Sequence, residues 1–326
     1  MHFSSVLFIH DANDELRNKC GIGVHRALRE WIILRYNPMS MTEIELLFLG
    51  TGTSAGIPMI GCHCEVCSSA DPHDRRTRPS VVISYENQSV LVDTTPELRL
   101  QCVAHQVDHV DAVVFTHAHA DHIMGLDDVR RFNVIKGGPL DVWADVRTHS
   151  SLQQCFGYAF RPPDPAQRVF RPHLRPRTID GPFQLGEVEW TPIPLLHGQM
   201  PVLGFRVGHL AYCTDVSEIP EASFELLQDL DVLVLDALQW KKHLTHFSVD
   251  EAIAAARRIG AKQTLFTHIA HALSHEVTNV KLPAQMRLAY DGERVTARAV
   301  PTASSRTLCR FRGICPRKNG TSCSSI

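Results

Sequence analysis

The sequence predicts an α/β (α+β) fold: two β-sheets packed face to face with helices on both outer sides, a four-layer αββα sandwich. Three observations carry this. Short apolar strands come in two successive sets, and helical segments interrupt both. The connections read as antiparallel early in the chain and as alternating strand and helix later. Histidine and aspartate gather where apolar strands stop. With 326 residues, 44% of them hydrophobic and 21% charged, the chain is long enough to bury a full core and has an ordinary globular composition.

Residues 1–41 lack strand alternation, and their best feature is a weakly amphipathic run from Gly23 to Tyr36. They are set apart as an N-terminal extension of unknown role, ahead of a domain over 42–298. The start at Met1 lacks a basic region, and no apolar run reaches the length of a membrane span, so a cytoplasmic, non-membrane protein is expected. Ile44–Gly50 is the first strong strand. The turn-rich Thr51-Gly-Thr-Ser-Ala-Gly56-Ile-Pro58 follows; no Lys-Ser/Thr pair succeeds its glycines, which argues against a nucleotide loop and for close backbone approach to the active site. Ser80–Tyr85 and Ser89–Asp93 make a hairpin across Glu86-Asn87-Gln88. Pro96 opens a helix running to about Gln106. Val110–Thr116 is a buried strand, Asp121–Phe132 a helix, and Leu140–Trp143 a strand.

Residues 161–177 set Arg161, Arg168, Arg171, Arg175 and Arg177 among prolines. They read as a stiff solvated loop, against the competing reading of arginines over a substrate phosphate. Strands then fall at Val188–Pro194, Val202–Val207, Leu210–Thr214, Val232–Asp236 and Gln263–Phe266, with helices at Ala222–Asp229 and Val249–Ile259. Ser248 with Glu251 is a capping box that fixes the start of the second helix. Periodicity fails from about Pro301, and residues 299–326 are expected to be a disordered tail.

The chemistry centres on His117-Ala-His119-Ala-Asp121-His122, four potential metal ligands in six residues. Alternation along an extended strand end would put His117, His119 and Asp121 on one side, while His122 points the other way as the chain turns into a helix, so one loop can serve two metals. Imidazole and carboxylate ligands suit zinc, manganese or iron. A two-metal site needs further ligands, and His197, Asp215 and His268 each follow an apolar strand. The chain has ten cysteines, and the spacing Cys62-His-Cys64-Glu-Val-Cys67 is too close for a secreted disulfide framework. The three read as thiolates bound to metal in a reducing compartment, and a closed tetrahedral zinc site would need a fourth ligand.

On these residues the chain resembles the metallo-beta-lactamase-fold hydrolases, over roughly residues 42–298. The resemblance implies that His117, His119 and His197 hold one metal, that Asp121, His122 and His268 hold the other, and that Asp215 bridges them. It makes Asp93 an orienting aspartate. A narrower resemblance rests on Gly61-Cys62, Cys64, Cys67, Asp71-Pro72 and His268-Ile-Ala-His271: these are similar to the PhnP family, the cyclic-phosphate phosphodiesterases of the carbon-phosphorus lyase pathway. It implies His271 as the fourth zinc ligand, with His63 and His73 nearer in sequence, and His246 as the acid that protonates the departing alkoxide. Arg75, Arg76 and Arg78 follow the cysteine loop much as basic residues do in that family, while His73 stands where that pattern more often has Arg.

The expected function is therefore a phosphodiesterase acting on a small cyclic phosphate. Two divalent ions, zinc or manganese, would activate water for attack at phosphorus, and a third ion, a structural zinc, would sit apart. The expected partner is a small-molecule phosphodiester, with a homodimer implied only by the resemblance. The net charge of −2 argues against nucleic acid. A tRNA 3'-processing endonuclease of the same fold is the alternative. A zinc-bearing binding module without catalysis is the alternative from another class. A flavodiiron reductase would want Glu at position 119, where the chain has His.

Overall fold

Alternation along the strands builds the layers. In β1 (Glu43–Gly50), Ile44, Leu46 and Phe48 enter one core while Leu47 and Leu49 enter another on the opposite face. This computed structural model describes residues 43–162 and 170–299. The expectations for residues 1–41, for Arg168 and for the tail past Ala299 lie outside the described residues.

After β1 come β2 (Ser80–Tyr85), β3 (Gln88–Val92), β4 (Ala112–Val114), β5 (Leu140–Ala144) and β6 (Leu174–Thr178). The second set is β7 (Phe183–Leu185), β8 (Val188–His197), β9 (Met200–Val207), β10 (Leu210–Cys213), β11 (Val232–Asp236), β12 (Gln263–Thr267) and β13 (Met286–Leu288). The last strand, β14 (Arg294–Arg298), returns to the first sheet beside β1. The two seven-stranded sheets run β14-β1-β2-β3-β4-β5-β6 and β13-β12-β11-β10-β9-β8-β7. Read from β14 in the first sheet and from β7 in the second, each has three antiparallel pairs and then three parallel ones, so the sheets match position for position.

The helices are α1 (Leu98–Ala104), α2 (Ala120–Ile123), α3 (Arg130–Lys136), α4 (Val146–Phe156), α5 (Glu221–Leu226), α6 (Val249–Ile259) and α7 (His275–Lys281). A central core around Trp190, Phe205, Tyr212, Phe48 and Val234 lies between the sheets. Leu98, Leu126, Phe132 and Leu152 pack against the outer face of the first sheet, and Val249, Ala252, Ala256 and Ile259 of α6 against that of the second. The four-layer αββα sandwich is thus formed, and β10 and β11 show why: Tyr212 and Val234 face inward, Cys213 and Leu235 outward.

Two expectations need correction. The helix over Asp121–Phe132 is broken at Met124–Gly125 into α2, a 3-10 turn and α3. Gly125 gives its N–H to the Thr94 carbonyl at 2.9 Å, and a Cβ there would stand 1.9 Å from the Thr95 carbonyl oxygen. Packing against that loop overrides helix propensity. The stretch 161–177 is not wholly loop, because its end forms β6 at a sheet edge, where Pro176 is tolerated.

Asp291 pins the glycine loop. Its Oδ1 accepts from the Thr51 N–H and hydroxyl (2.9 and 2.7 Å), and its Oδ2 from those of Thr77 (2.7 and 2.7 Å). Gly52 bridges to Ile269, which puts the loop beside His268 as the glycines suggested. Among the described residues no helix is long and apolar enough to cross a membrane.

Candidate active site

Strand ends converge at one edge of the sandwich. The chain leaving β4 stays extended through His119 and turns helical at Ala120, so Asp121 lies with His122 rather than with His117 and His119. This corrects the alternation reading for Asp121: the expected helical turn begins at Ala120, one residue ahead of it, and carries Asp121 over to the side of His122. Among the described residues four clusters result, His117–His119–Asp215, Asp121–His122–His268, His197–Asp215–His246 and Asp236–His246–His268, with Asp215, His246 and His268 each common to two. Asp93, Asp215 and His268 follow β3, β10 and β12 within two residues and have left-handed φ of 63°, 56° and 59°. Such a conformation costs a histidine of order 1–3 kcal/mol and recurs at functional sites.

Hydrogen bonds turn the rings. Asp93 is fully buried; its Oδ1 accepts from the Thr116 N–H (2.9 Å), and its Oδ2 from the Thr116 hydroxyl (2.8 Å) and His122 Nδ1–H (2.8 Å). With its proton given to Asp93, the Thr116 hydroxyl accepts from His117 Nδ1–H at 3.0 Å. His197 Nδ1–H donates to the Thr245 carbonyl at 2.6 Å. In each case Nε2 is left with a lone pair.

Those nitrogens suit a cation. Nε2 of His117 and His122 and both ring nitrogens of His268 are buried without a hydrogen-bond partner among the described residues. Asp215 approaches His122 and His268 Nε2 to 3.2 and 3.3 Å, and Asp121 to 3.5 and 3.7 Å. Burial alone would lower the His268 ring, yet Asp215 and Asp121 raise it to about 9. Burial likewise opposes charge on His122, while Asp215 and Asp93 hold it well above its usual value. Burial would raise Asp215, and His268 and His122 hold it well below the usual carboxylate range. Burial instead holds His117 and His197 below their usual value, so the site combines neutral imidazoles with ionised carboxylates, the donor set a divalent cation takes.

His246 stands across both ligand groups, its ring 4.5 Å from that of His197 and 4.6 Å from that of His268. The capping box at Ser248 forms as expected and fixes the chain two residues beyond it. Its Nδ1 is 2.7 Å from Asp236 Oδ2, which also accepts from the Val216 N–H at 2.8 Å. Thr116, Asp236 and Thr245 orient these rings, roles that the sequence alone did not assign to them. Asp236 closes an apolar strand as Asp215 follows one, and that signal was there to use.

Cys62, Cys64 and Cys67 meet His271, whose Nδ1 lies 3.3, 3.3 and 3.6 Å from their sulfurs. A tetrahedron with zinc's usual bond lengths has an S···N edge of about 3.5 Å. The Cys67 N–H and His271 lower the Cys64 thiol to about 6, favouring thiolate, while burial pushes the Cys67 thiol up to about 11. His73 is engaged elsewhere, on Asp71 at 2.9 Å and stacked on His275.

The arginines are largely committed. Arg76 is buried, donating to Thr51 Oγ1 at 2.8 Å and to the Ala289 carbonyl, and Arg78 pairs with Glu97; Arg75 is exposed. Arg175 and Arg177 approach Asp141 to 2.7 and 3.3 Å, and Arg171 donates to the carbonyls of Tyr158, Arg161, Pro162 and Pro172.

Comparison with known proteins agrees with this geometry. The profile of the Beta-lactamase superfamily domain matches residues 88–269. The chain is 43% identical to a solved diphosphatase of the PhnP family, with a TM-score of 0.74, over 79% of this chain and 99% of that one. Zinc-bound PqqB from Methylobacterium extorquens shares the fold at 19% identity and a TM-score of 0.62, over 77% and 99% of the two chains. A curated octanoyltransferase of Porphyromonas gingivalis is 34% identical over 250 residues, 76% of this chain, which spans only 50% of that protein's length. The chain is therefore a metal-dependent hydrolase of the metallo-beta-lactamase fold and belongs to the PhnP family.

Proposed function

We propose that the chain is a binuclear phosphodiesterase that hydrolyses a small cyclic phosphate ester, of the ribosyl 1,2-cyclic phosphate or 2',3'-cyclic nucleotide type, in the cytoplasm. The observation that carries this is His246, held by a buried carboxylate and set against both ligand groups. His117, His119 and His197, whose rings lie 4.6–5.8 Å apart, would hold one divalent ion and Asp121, His122 and His268 the other, with Asp215 shared through its approach to both groups; zinc and manganese both suit these donors. Such ions, when bound, activate water and neutralise the non-bridging phosphoryl oxygens. Cys62, Cys64, Cys67 and His271 would hold a structural zinc.

The chain's own groups orient and move protons. Asp93, Thr116 and the Thr245 carbonyl fix the tautomers of His122, His117 and His197. Asp236 accepts Nδ1–H of His246, stabilises the charged ring, and leaves Nε2–H to be given to the departing oxygen.

A diphosphate bond is the second reading, favoured by the 43% identity to a PhnP-family diphosphatase. There the departing oxygen belongs to a phosphate. A tRNA 3'-processing role would need a basic surface, and the arginines described between 161 and 177 are mostly tied to carbonyl oxygens and Asp141.

The test is steady-state hydrolysis by protein reconstituted with zinc or manganese. The substrates are ribosyl 1,2-cyclic phosphate, 2',3'-cyclic nucleotides, a nucleoside diphosphate diester and a tRNA precursor with a 3' trailer. Preference for a cyclic phosphate is expected. Cleavage of the diphosphate alone would move the chain to the second reading, and cleavage of the precursor alone would overturn both.

A further inference from the structure

The segment between Asp236 and α6 leaves the sheet as an excursion closed at its base by the bridge Gln239–Ser248. His246 occupies its inner side. Outside it stand Lys241, Lys242, His243 and Leu244, all exposed, Leu244 at 91%. From Ala237 to Val249 there is no acidic residue, in a chain whose net charge is −2. Lys242 pairs with Glu251 at 3.1 Å, and Lys241 has no ion pair among the described residues. The rim of the site is thus locally cationic.

Thr245 ties this rim to the ligand set through its two backbone groups. Its carbonyl accepts from His197 Nδ1–H at 2.6 Å, while its N–H donates to His243 Nδ1 at 3.3 Å, with its hydroxyl 3.2 Å from the same nitrogen. The same residue therefore sets two imidazoles to opposite tautomers. His197 keeps a lone pair on Nε2, while His243, accepting at Nδ1, carries its hydrogen on Nε2. Among the described residues that Nε2–H has no partner, and the ring lies 5.3 Å from that of His246. Gly198 keeps this register: its φ is +63°, and a Cβ there would stand 3.0 Å from Thr245 Cγ2.

We propose that His243 is a substrate-binding residue whose Nε2–H meets an anionic oxygen on the departing side of the substrate, one group beyond the bond that His246 serves. Lys241 supplies the accompanying positive charge. The inference rests on the phosphodiesterase reading and deepens it, since it selects esters or anhydrides whose departing portion bears its own anionic oxygen. A hydrogen bond from a fixed donor to an anion changes affinity by about tenfold or more.

The test compares wild type with His243→Ala and His243→Gln, metal-reconstituted and with metal content measured. Inorganic diphosphate binding is followed by calorimetry. Specificity constants are taken for a nucleoside diphosphate diester and for bis(p-nitrophenyl) phosphate, whose departing group is uncharged. Expected is about tenfold weaker diphosphate binding by His243→Ala, and a tenfold change in the ratio of the two specificity constants, residing mainly in KM, with partial recovery in His243→Gln. Equal diphosphate affinity, or an equal loss on both substrates with metal released, would overturn the proposal and leave His243 a prop for Thr245. If neither these two substrates nor the cyclic phosphates turn over but diphosphate binding still depends on His243, the phosphodiesterase reading falls while the binding role stands.

Discussion

A histidine held at Nδ1 by a buried carboxylate has one nitrogen left to use. For His246 that carboxylate is Asp236, and the ring lies against both His197 and His268. Its proximity to Asp215 and His197 would also let it ligate, so turnover and metal content must be read together. His246→Ala is expected to lower kcat by about 10²–10⁴ with metal content intact. Asp236→Asn should cost less, about 10–100-fold, because it leaves the ring in place but no longer stabilises its charge. Elemental analysis alongside single-turnover kinetics checks both, and loss of one ion in His246→Ala would make it a ligand instead. At this scale the sequence was most legible for His117, His119, Asp121 and His122, which are contiguous. His197, Asp215 and His268 were legible as residues that follow apolar strands. Asp236 was read only as a strand boundary, because its partner lies ten residues on and nothing local distinguishes a boundary aspartate from one that orients a histidine.

Elements are tied across the fold by a few charged residues. Asp231, just before β11, accepts from Arg298 at the end of β14 at 2.7 and 2.8 Å and pairs with Lys262 at 2.7 Å. Hydrogen bonds from Arg298 and then Lys262 hold its carboxyl well below the usual range. The folded state thus binds fewer protons here than the unfolded chain, whose aspartates titrate near pH ~4. This contribution is full above that pH and is lost as pH falls further, towards the folded-state value. In denaturation curves at pH 6 and pH 3, Asp231→Asn is expected to be less stable than wild type at pH 6, with the gap narrowing at pH 3; a constant gap would refute the pairing. The elements themselves were legible where alternation or capping was strong, as in β1, β11 and α6. They were hidden where it was weak. α4 buries only Leu152 and Phe156 of its apolar side chains, β6 buries only Leu174 of five residues, and the break at Gly125 depends on a loop about 30 residues earlier in sequence.

At the scale of the molecule, two matched sheets bring strand ends from both halves to one edge. Asp93 after β3 and Asp215 after β10 hold equivalent places, one orienting a histidine and the other shared between ligand groups. The cysteine loop is joined to the same edge from outside through His271, three residues beyond His268, so a closed zinc site there would brace the loop that follows β12. Metal stoichiometry tests this arrangement most directly, by elemental analysis of zinc-reconstituted wild type and of the Cys62→Ser, Cys64→Ser, Cys67→Ser triple variant. The ligand groups predict about three ions per chain in wild type and two in the variant. A wild-type count of one, or a variant that keeps all three, would contradict a two-ion active site beside a separate structural zinc.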